Sequence, residues 1–316
     1  MKLTKAILLR LLFGVFSLVF ISFITFAAGE LAPGDRAIAE AGEKPRQEVV
    51  QMLRHRYHLD EPWINRYGYF LRDAIHLDFG NSYVGTHQPV LERIKQTTPM
   101  TFKIAFFAIL LASIVGLTLG TIAGVWQGRP PDGIVLTVST LGVTIPNFVL
   151  VPLLVYVFAV RMDYLPQTWE VHLKGPEYLY LILPVVALAL RPMALLTRLT
   201  RASLIDTLQQ EFMRMATAKG VPFWRRILRH GLRNAILPVI TAIGTSFGFL
   251  LTGSFVVERA FTLPGLGSAG IEAIQAGDTP MIQATVLLAG GTFILVNLIV
   301  DLVLPLLDPR IREAQV

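Results

Sequence analysis

Few stretches of this chain combine residue types and spacing in a way that suggests chemistry, and one of them is GLGSAG at 265–270. Its spelling matches the dinucleotide-binding pattern GxGxxG, which must follow a strand and open a helix. Here the stretch follows Leu-Pro between two hydrophobic segments, so we reject nucleotide binding. The phosphate-binding pattern GxxxxGK followed by Ser or Thr does not occur, so any ATP must be bound by another subunit.

Histidine and cysteine give no support to a metal centre or a catalytic nucleophile. The sequence contains no cysteine, which excludes disulfides, thiolate metal ligands and cysteine nucleophiles. His55 and His58 lack acidic or thiol companions at ligand spacing, which indicates surface residues rather than a metal site. Ser268 lacks the GxSxG context of a hydrolase. We predict no catalytic residue, no metal and no cofactor on this chain.

Asn147 and Arg191 are polar residues inside otherwise apolar windows. Polar groups at membrane depth face a cavity or a partner helix, which makes both residues candidates for lining a pathway. The alternative for Arg191 is a side chain that snorkels toward the membrane surface.

The run KGVPFWRRILRHGLRNAILP at 219–238 places four arginines beside an apolar helical face. Gly220 suits the end of one helix and Pro222 the first turn of the next, which predicts a helix, a sharp turn and a second helix along the membrane surface. One interpretation is an interfacial helix whose arginines meet anionic lipid. The other is a surface gripped by a protein groove, and the sharp turn favours it because lipid adsorption requires no turn.

These residues must be positioned by membrane-spanning helices. The 316 residues are 53% hydrophobic and only 16% charged, against roughly a quarter charged in soluble domains. Six apolar windows approach the ~20 residues needed to cross a bilayer, and they are continuous rather than alternating. We therefore predict an all-α membrane protein with six transmembrane helices. The windows are 7–28, 102–126, 134–160, 178–197, 235–257 and 281–304.

The first window follows Lys2 and Lys5 like a secretory signal, but its apolar run is too long for one, so we predict a retained anchor helix at 1–28. Basic residues cluster in the short loops on one side, whereas the opposite short loops hold only Arg161, Lys174 and Arg259. The positive-inside rule then places both termini in the cytoplasm.

Four segments follow from this topology. After the anchor come an external segment at 29–101, a five-helix core at 102–304 that contains the cytoplasmic loop 198–234, and a cytoplasmic tail at 305–316. In the external segment, Pro45 and Pro62 resemble first-turn prolines of short helices over the external mouth. There, Trp63, Tyr67, Phe70 and Ala74 share one helical stripe. Near the end of the core we expect Asp301 to pair with a loop arginine.

Glycines at four-residue spacing permit close approach of membrane helices, and we predict a packing role for them. They are Gly116, Gly120 and Gly124 in the second window and Gly244 and Gly248 in the fifth.

The stretch EFMRMATAKGVPFWRRILRHGLRNAILPVI resembles the cytoplasmic EAA loop of ABC importer permeases, in particular the B-type permease of the dipeptide, oligopeptide and nickel family. The stretches LTRLTRASLIDTL, VVERAFTLPGLG and LVNLIVDLVLPLLDPRIR support the resemblance in order and spacing. The places of Glu, Ala and Ala are held here by Arg214, Met215 and Ala216. This departure puts in doubt any role of the missing glutamate.

The resemblance implies a type I ABC importer permease fold in the bacterial inner membrane and import of di- or oligopeptides. It implies a second permease, two ATPase subunits that carry ATP and Mg²⁺, and an external solute-binding protein as partners besides membrane lipid, with no nucleic acid. It also implies residues that couple to the ATPase. They are Ala216, Ala218, Lys219, Gly220, Val221, Pro222, Phe223, Trp224 and Arg225.

Several alternatives stay open at this point. An ion-coupled secondary transporter would need carboxylates at mid-membrane, and none is visible. An intramembrane enzyme would need a nucleophile and a base there. Within the ABC family the cargo could be nickel or another small solute, and a membrane scaffold is not excluded by pattern.

Overall fold

The computed structural model describes residues 2–31, 36–41, 46–83, 87–170 and 174–307, and regular structure in these ranges is helical. The helices follow one another along the chain. They are α1 Lys2–Leu31, α2 Arg36–Ala41, α3 Gln47–Arg56, α4 Trp63–Ile75, α5 Val90–Val125, α6 Pro130–Thr144, α7 Asn147–Leu154 with a π-helical extension Val155–Arg161, α8 Glu177–Leu208, α9 Glu211–Ala218, α10 Phe223–Arg225 with a π-helical stretch Arg226–Leu232, α11 Arg233–Gly253, α12 Phe255–Ala260, α13 Leu266–Ala276 and α14 Thr279–Leu307.

Five helices in the described ranges are long and apolar enough to cross a membrane: α1, α5, α8, the continuous helix 223–253 and α14. The predicted window 134–160 is not a single straight helix, because α6 and the α7 segment meet at a 104° bend. Ile145 there is extended, with ψ 117°, a conformation that the following Pro146 favours because proline disfavours the helical region for the residue before it. The sixth span exists only if this bent pair is counted as one crossing.

Helices α5 and α8 pack along their length through three glycines of α5. A Cβ added to Gly120 would lie 2.5 Å from the Thr200 Cβ and 2.6 Å from the Thr197 carbonyl oxygen. Gly116 and Gly124 meet the same face of α8 one turn to either side. Such contacts leave no room for a side chain, which brings the two backbones close together.

The second glycine pair lies between α11 and α14. A Cβ added to Gly248 would lie 3.0 Å from a Phe293 ring carbon, and Gly244 lies directly against Val300. These contacts leave little room for a side chain at either glycine.

Helix α1 lies against α14 at one end of the bundle and receives α4 on its other side. Tyr67 packs its ring 5.5 Å from Phe23 and 5.4 Å from Phe26, and its hydroxyl lies 2.9 Å from the Ser22 hydroxyl. Trp63, Tyr67 and Phe70 of the stripe predicted on α4 therefore pack on the first helix. The position of α4 over the external mouth stays a prediction. Asp301 was expected to pair with a loop arginine, but its partner is Arg10 of α1, at 3.3 Å.

The predicted segment boundaries differ in detail from the helix ends. Pro62 directly precedes α4, whereas Pro45 lies outside the described residues. Helix α5 begins at Val90 and contains Pro99, so the division between 101 and 102 does not coincide with a helix boundary. The predicted tail begins inside α14, and its part after Leu307 lies outside the described residues.

Candidate coupling turn and pathway face

The predicted helix, sharp turn and helix are present between α9 and α10. Gly220 has φ +73°, and its N–H donates to the Thr217 carbonyl at 3.0 Å. The Val221 N–H reaches back to the Ala216 carbonyl at 3.1 Å. These two bonds form a Schellman motif, in which a left-handed residue ends the helix. Pro222 is the N-cap residue of α10, one position before the first turn predicted for it.

Arg226 ties the two sides of the turn together. Its Nη1 donates to the Thr217 hydroxyl at 2.8 Å, and its guanidinium lies 5.7 Å from the centre of the Phe223 ring. Met213 of α9 is buried, which anchors the first side in the protein body. The turn is therefore held in one shape by contacts from both helices.

The surface of the turn is open and combines apolar groups with positive charge. Trp224 is 54% exposed although its ring lies 6.2 Å from Trp126, and Phe223 is 46% exposed. Half-buried positions are Ala216 and Val221, and exposed ones include Ala218, Lys219, Gly220, Pro222 and Arg225. Aromatic side chains beside cations on a protruding turn are suited to a protein groove.

The helix after the turn is not a separate element on the membrane surface, and this part of the prediction is wrong. It continues without a break into α11. The apolar face of this segment packs partly on α8, because Ile227 is buried and a Cβ on Gly231 would lie 3.3 Å from the Leu204 side chain. The turn thus sits on the connection between two helices long enough to cross the membrane.

The two pathway candidates occupy different places. Asn147 is half-buried and begins α7 at the 104° bend. Arg191 is exposed near the middle of α8. A Cβ on Gly142 of α6 would lie 3.6 Å from the Leu190 carbonyl oxygen, so the bend lies within about one turn of Arg191 along the bundle.

Sequence reasoning missed the ion pair between Asp132 and Arg201. Both carboxylate oxygens accept from the guanidinium, with Nη2 at 2.7 Å from Oδ2, and the Gly128 N–H donates to Oδ2 at 2.9 Å. The Asp132 side chain is only 5% exposed. The pair joins the start of α6 to Arg201 of α8, which lies seven residues before the end of that helix. An isolated Asp after two prolines was the available signal in the sequence.

Glu258 is a second site that the sequence reasoning missed, and it explains the GLGSAG stretch. Its fully buried carboxylate accepts from the hydroxyls of Thr101 and Ser254 and from the Ser268 N–H at 3.0 Å. Gly265 and Gly267 lie against this carboxylate, where a Cβ would collide with it. The glycines therefore admit a buried carboxylate at the start of α13, the position at which a Rossmann loop would hold phosphate.

The described ranges hold no group of three or more His, Asp or Glu side chains arranged for a metal ion. His58 contacts Glu61 at 2.9 Å, an acidic neighbour that the sequence reasoning did not consider. The absence of a metal site stays a prediction.

Comparisons with known proteins agree on the kind of protein to which this chain is similar. The family model for the binding-protein-dependent transport system inner membrane component matches residues 116–313, and the model for the N-terminal part of such membrane components matches residues 3–105. The glutathione transport system permease protein GsiC of Escherichia coli strain K12 is 37% identical over 96% of this chain and 97% of its own length. The protein of that name from Shigella dysenteriae serotype 1 strain Sd197 gives the same values.

A solved structure supports the fold. A chain from the crystal structure of an amino acid ABC transporter with histidines superposes with a TM-score of 0.51 at 18% identity, covering 70% of this chain and 94% of that one. The apolar helical bundle and a family match over well over half of the chain lead to one conclusion. This chain belongs to the binding-protein-dependent transport system inner membrane component family, as a permease subunit of an ABC importer of the peptide type, with the type I importer permease fold.

Proposed function

We propose that this chain forms half of the translocation pathway of an ATP-driven peptide importer and couples to the ATPase subunits through the turn at 216–225. The observation that carries the proposal is the exposed, internally fixed turn on the connection between α8 and α11. The basic loops support a cytoplasmic location for this turn and for both termini. ATP and Mg²⁺ are bound by the partner ATPase subunits.

The turn acts as a lever in this proposal. Closure of the two ATPase subunits moves the ATPase groove that holds Phe223 and Trp224, and the groove pushes on the turn. The displacement passes into α11 because the helix that begins at Phe223 is continuous with α11. It passes into α8 through the contact of Gly231 with Leu204. Tilting of packed helices in a rigid-body movement then opens the pathway to one side and closes it to the other.

Peptide-like cargo is supported by the relatives, which are named for the transport of glutathione, itself a tripeptide. A second permease completes the pathway, and an external solute-binding protein delivers the peptide. Family membership favours ABC import over the ion-coupled alternative.

The experiment that tests this proposal is purification in mild detergent followed by mass identification of the subunits that accompany the chain. Two exposed alanines, each the last residue of its helix, provide a matched pair of variants: Ala218 of α9 and Ala276 of α13. We expect Ala218→Glu to reduce the recovered ATPase by roughly tenfold, as a change at an interface hot spot does. Ala276→Glu should leave recovery unchanged. A wild-type preparation without an ATPase, or equal losses in both variants, would contradict the proposal.

A further inference from the structure

One face of α8 carries exposed arginines for which no salt bridge or hydrogen bond is found among the described residues. We propose that Arg191, inside the apolar window of α8, and Arg198, directly after that window, form an anion-binding stripe along the cytoplasmic part of the pathway, which guides substrates through their carboxylates. The inference rests on the proposed transport function, because it names the chemistry that the pathway recognises in its cargo.

The exposure pattern of α8 defines this face. Arg191, Leu195, Arg198 and Ala202 are exposed and follow one another at intervals of three or four residues, which places them on one side of the helix. The other sides are covered. Leu196, Thr197 and Thr200 face the glycines of α5, whereas Ala194 and Arg201 face α6.

Among the described residues, Arg201 of α8 has a carboxylate partner, whereas Arg191 and Arg198 have none. Arg201 is held by the Asp132 carboxylate in a two-point contact, which accounts for its presence in structural terms. Glu177, at the start of the helix, is held by Lys103. Asp206 is exposed on the same side as Arg198 but lies eight residues further along, about 12 Å of helix rise.

The position of Arg191 inside an apolar window favours a water-filled cavity over lipid for this side of α8. Arg191 is the fifteenth residue of a 32-residue helix and lies inside the apolar window 178–197, six residues before its end. A guanidinium at that depth is costly in hydrocarbon and is found facing water-filled cavities or partner groups.

The chemistry of the stripe fits a peptide carboxylate. A guanidinium offers planar, paired donors that match the two oxygens of a carboxylate. Every peptide with a free C-terminus carries that group. Arg191 and Arg198 are seven residues apart, about 10 Å along the helix, so a carboxylate released by one can be received by the next. Open, solvated sites of this kind bind weakly enough to release their ligand.

The test measures the electrostatic potential at this face in the assembled transporter. The chain contains no cysteine, so Leu195→Cys introduces a single thiol between the two arginines. Its reaction rate with a negatively charged sulfonate methanethiosulfonate and with a positively charged trimethylammonium methanethiosulfonate is measured relative to the rates of free cysteine. Leu12→Cys on α1 is the control, since Leu12 is 65% exposed on a face without charges in this proposal.

We expect the thiol at position 195 to prefer the anionic reagent by about tenfold, as neighbouring cations would cause. Arg191→Gln should reduce that preference to about threefold, and Arg191→Lys should preserve it. The thiol at position 12 should react with neither reagent. Three results would overturn the inference: no reaction at position 195, reaction without charge preference, or a preference that survives Arg191→Gln combined with Arg198→Gln.

Failure of the anion-binding stripe can be distinguished from failure of the proposed coupling function. Labelling is performed on complexes in which the ATPase subunits have been identified by mass, so a failed assembly is scored as failure of the coupling proposal. A correctly assembled complex with an uncharged or sealed α8 face rejects the anion-binding stripe alone.

Discussion

Asp132 and Arg201 show how one ion pair fixes the start of α6 to α8. Removing Arg201 would leave a carboxylate that is 5% exposed with only the Gly128 N–H as donor. We expect Arg201→Ala to lower the free energy of unfolding by about 2–4 kcal/mol, the effect of breaking a largely buried pair. Equilibrium unfolding in mixed micelles measures it. Arg198→Ala, an exposed position on the same helix, should change it by less than about 0.5 kcal/mol, and equal effects would contradict the assignment.

Glu258 holds the start of α13 to α5 and α12 through hydrogen bonds to a buried carboxylate. Glu258→Ala removes the acceptor for the Ser268 N–H and leaves a cavity, so we expect a loss of about 2–4 kcal/mol in unfolding free energy. Glu272→Ala on α13 is the control, because Glu272 is 48% exposed in its pair with Arg93. That change should cost less than about 1 kcal/mol. A tolerated Glu258→Ala would show that the buried carboxylate is dispensable for stability.

Both residues were beyond what the sequence could predict. Asp132 stands 69 positions from Arg201, and a single sequence gives no sign of which distant residue meets which. The glycines of GLGSAG indicate that another group packs closely against the backbone there. Only the fold shows that this group is the Glu258 carboxylate.

The turn between α9 and α10 was the element best predicted, because its signals are local. A left-handed glycine and a following proline fix the backbone without help from distant residues. The interfacial helix was predicted wrongly, since its apolar face does not reveal whether lipid or α8 covers it. The bend at Ile145 and Pro146 was indicated by proline, but its angle of 104° depends on packing.

Gly220 provides the sharpest test of the turn as an element. No atom lies within 4 Å of a Cβ added there, so a substitution acts only through the backbone angle φ +73°. Val should disfavour that angle by about 1–2 kcal/mol or more, whereas Asn tolerates it. We expect Gly220→Val to insert normally and to lose substrate-stimulated ATP hydrolysis, and Gly220→Asn to retain it. Hydrolysis by purified complexes, with and without cargo, decides the matter, and normal stimulation of the Val variant would count against a coupling role.

The sequence predicts a helical membrane protein, because apolar segments of about 20 residues are a strong signal for membrane-spanning helices. Five of the predicted spans are long apolar helices, and the sixth is the bent pair. The pairing of α1 with α14 and of α4 with α1 was not predictable, because side chains on apolar helices do not specify their neighbours. Orientation rests on the distribution of basic loops and stays a prediction.

Site-directed cross-linking from the turn tests the coupling proposal at the level of the assembly. In the cysteine-free chain, a photoactivatable maleimide is attached through Ala218→Cys, with Ala276→Cys as the matched position on α13. The account predicts that position 218 cross-links to an ATPase subunit and that position 276 does not. A thiol at position 218 that reacts with an impermeant reagent from outside intact cells, or that fails to reach an ATPase present in the complex, would contradict it.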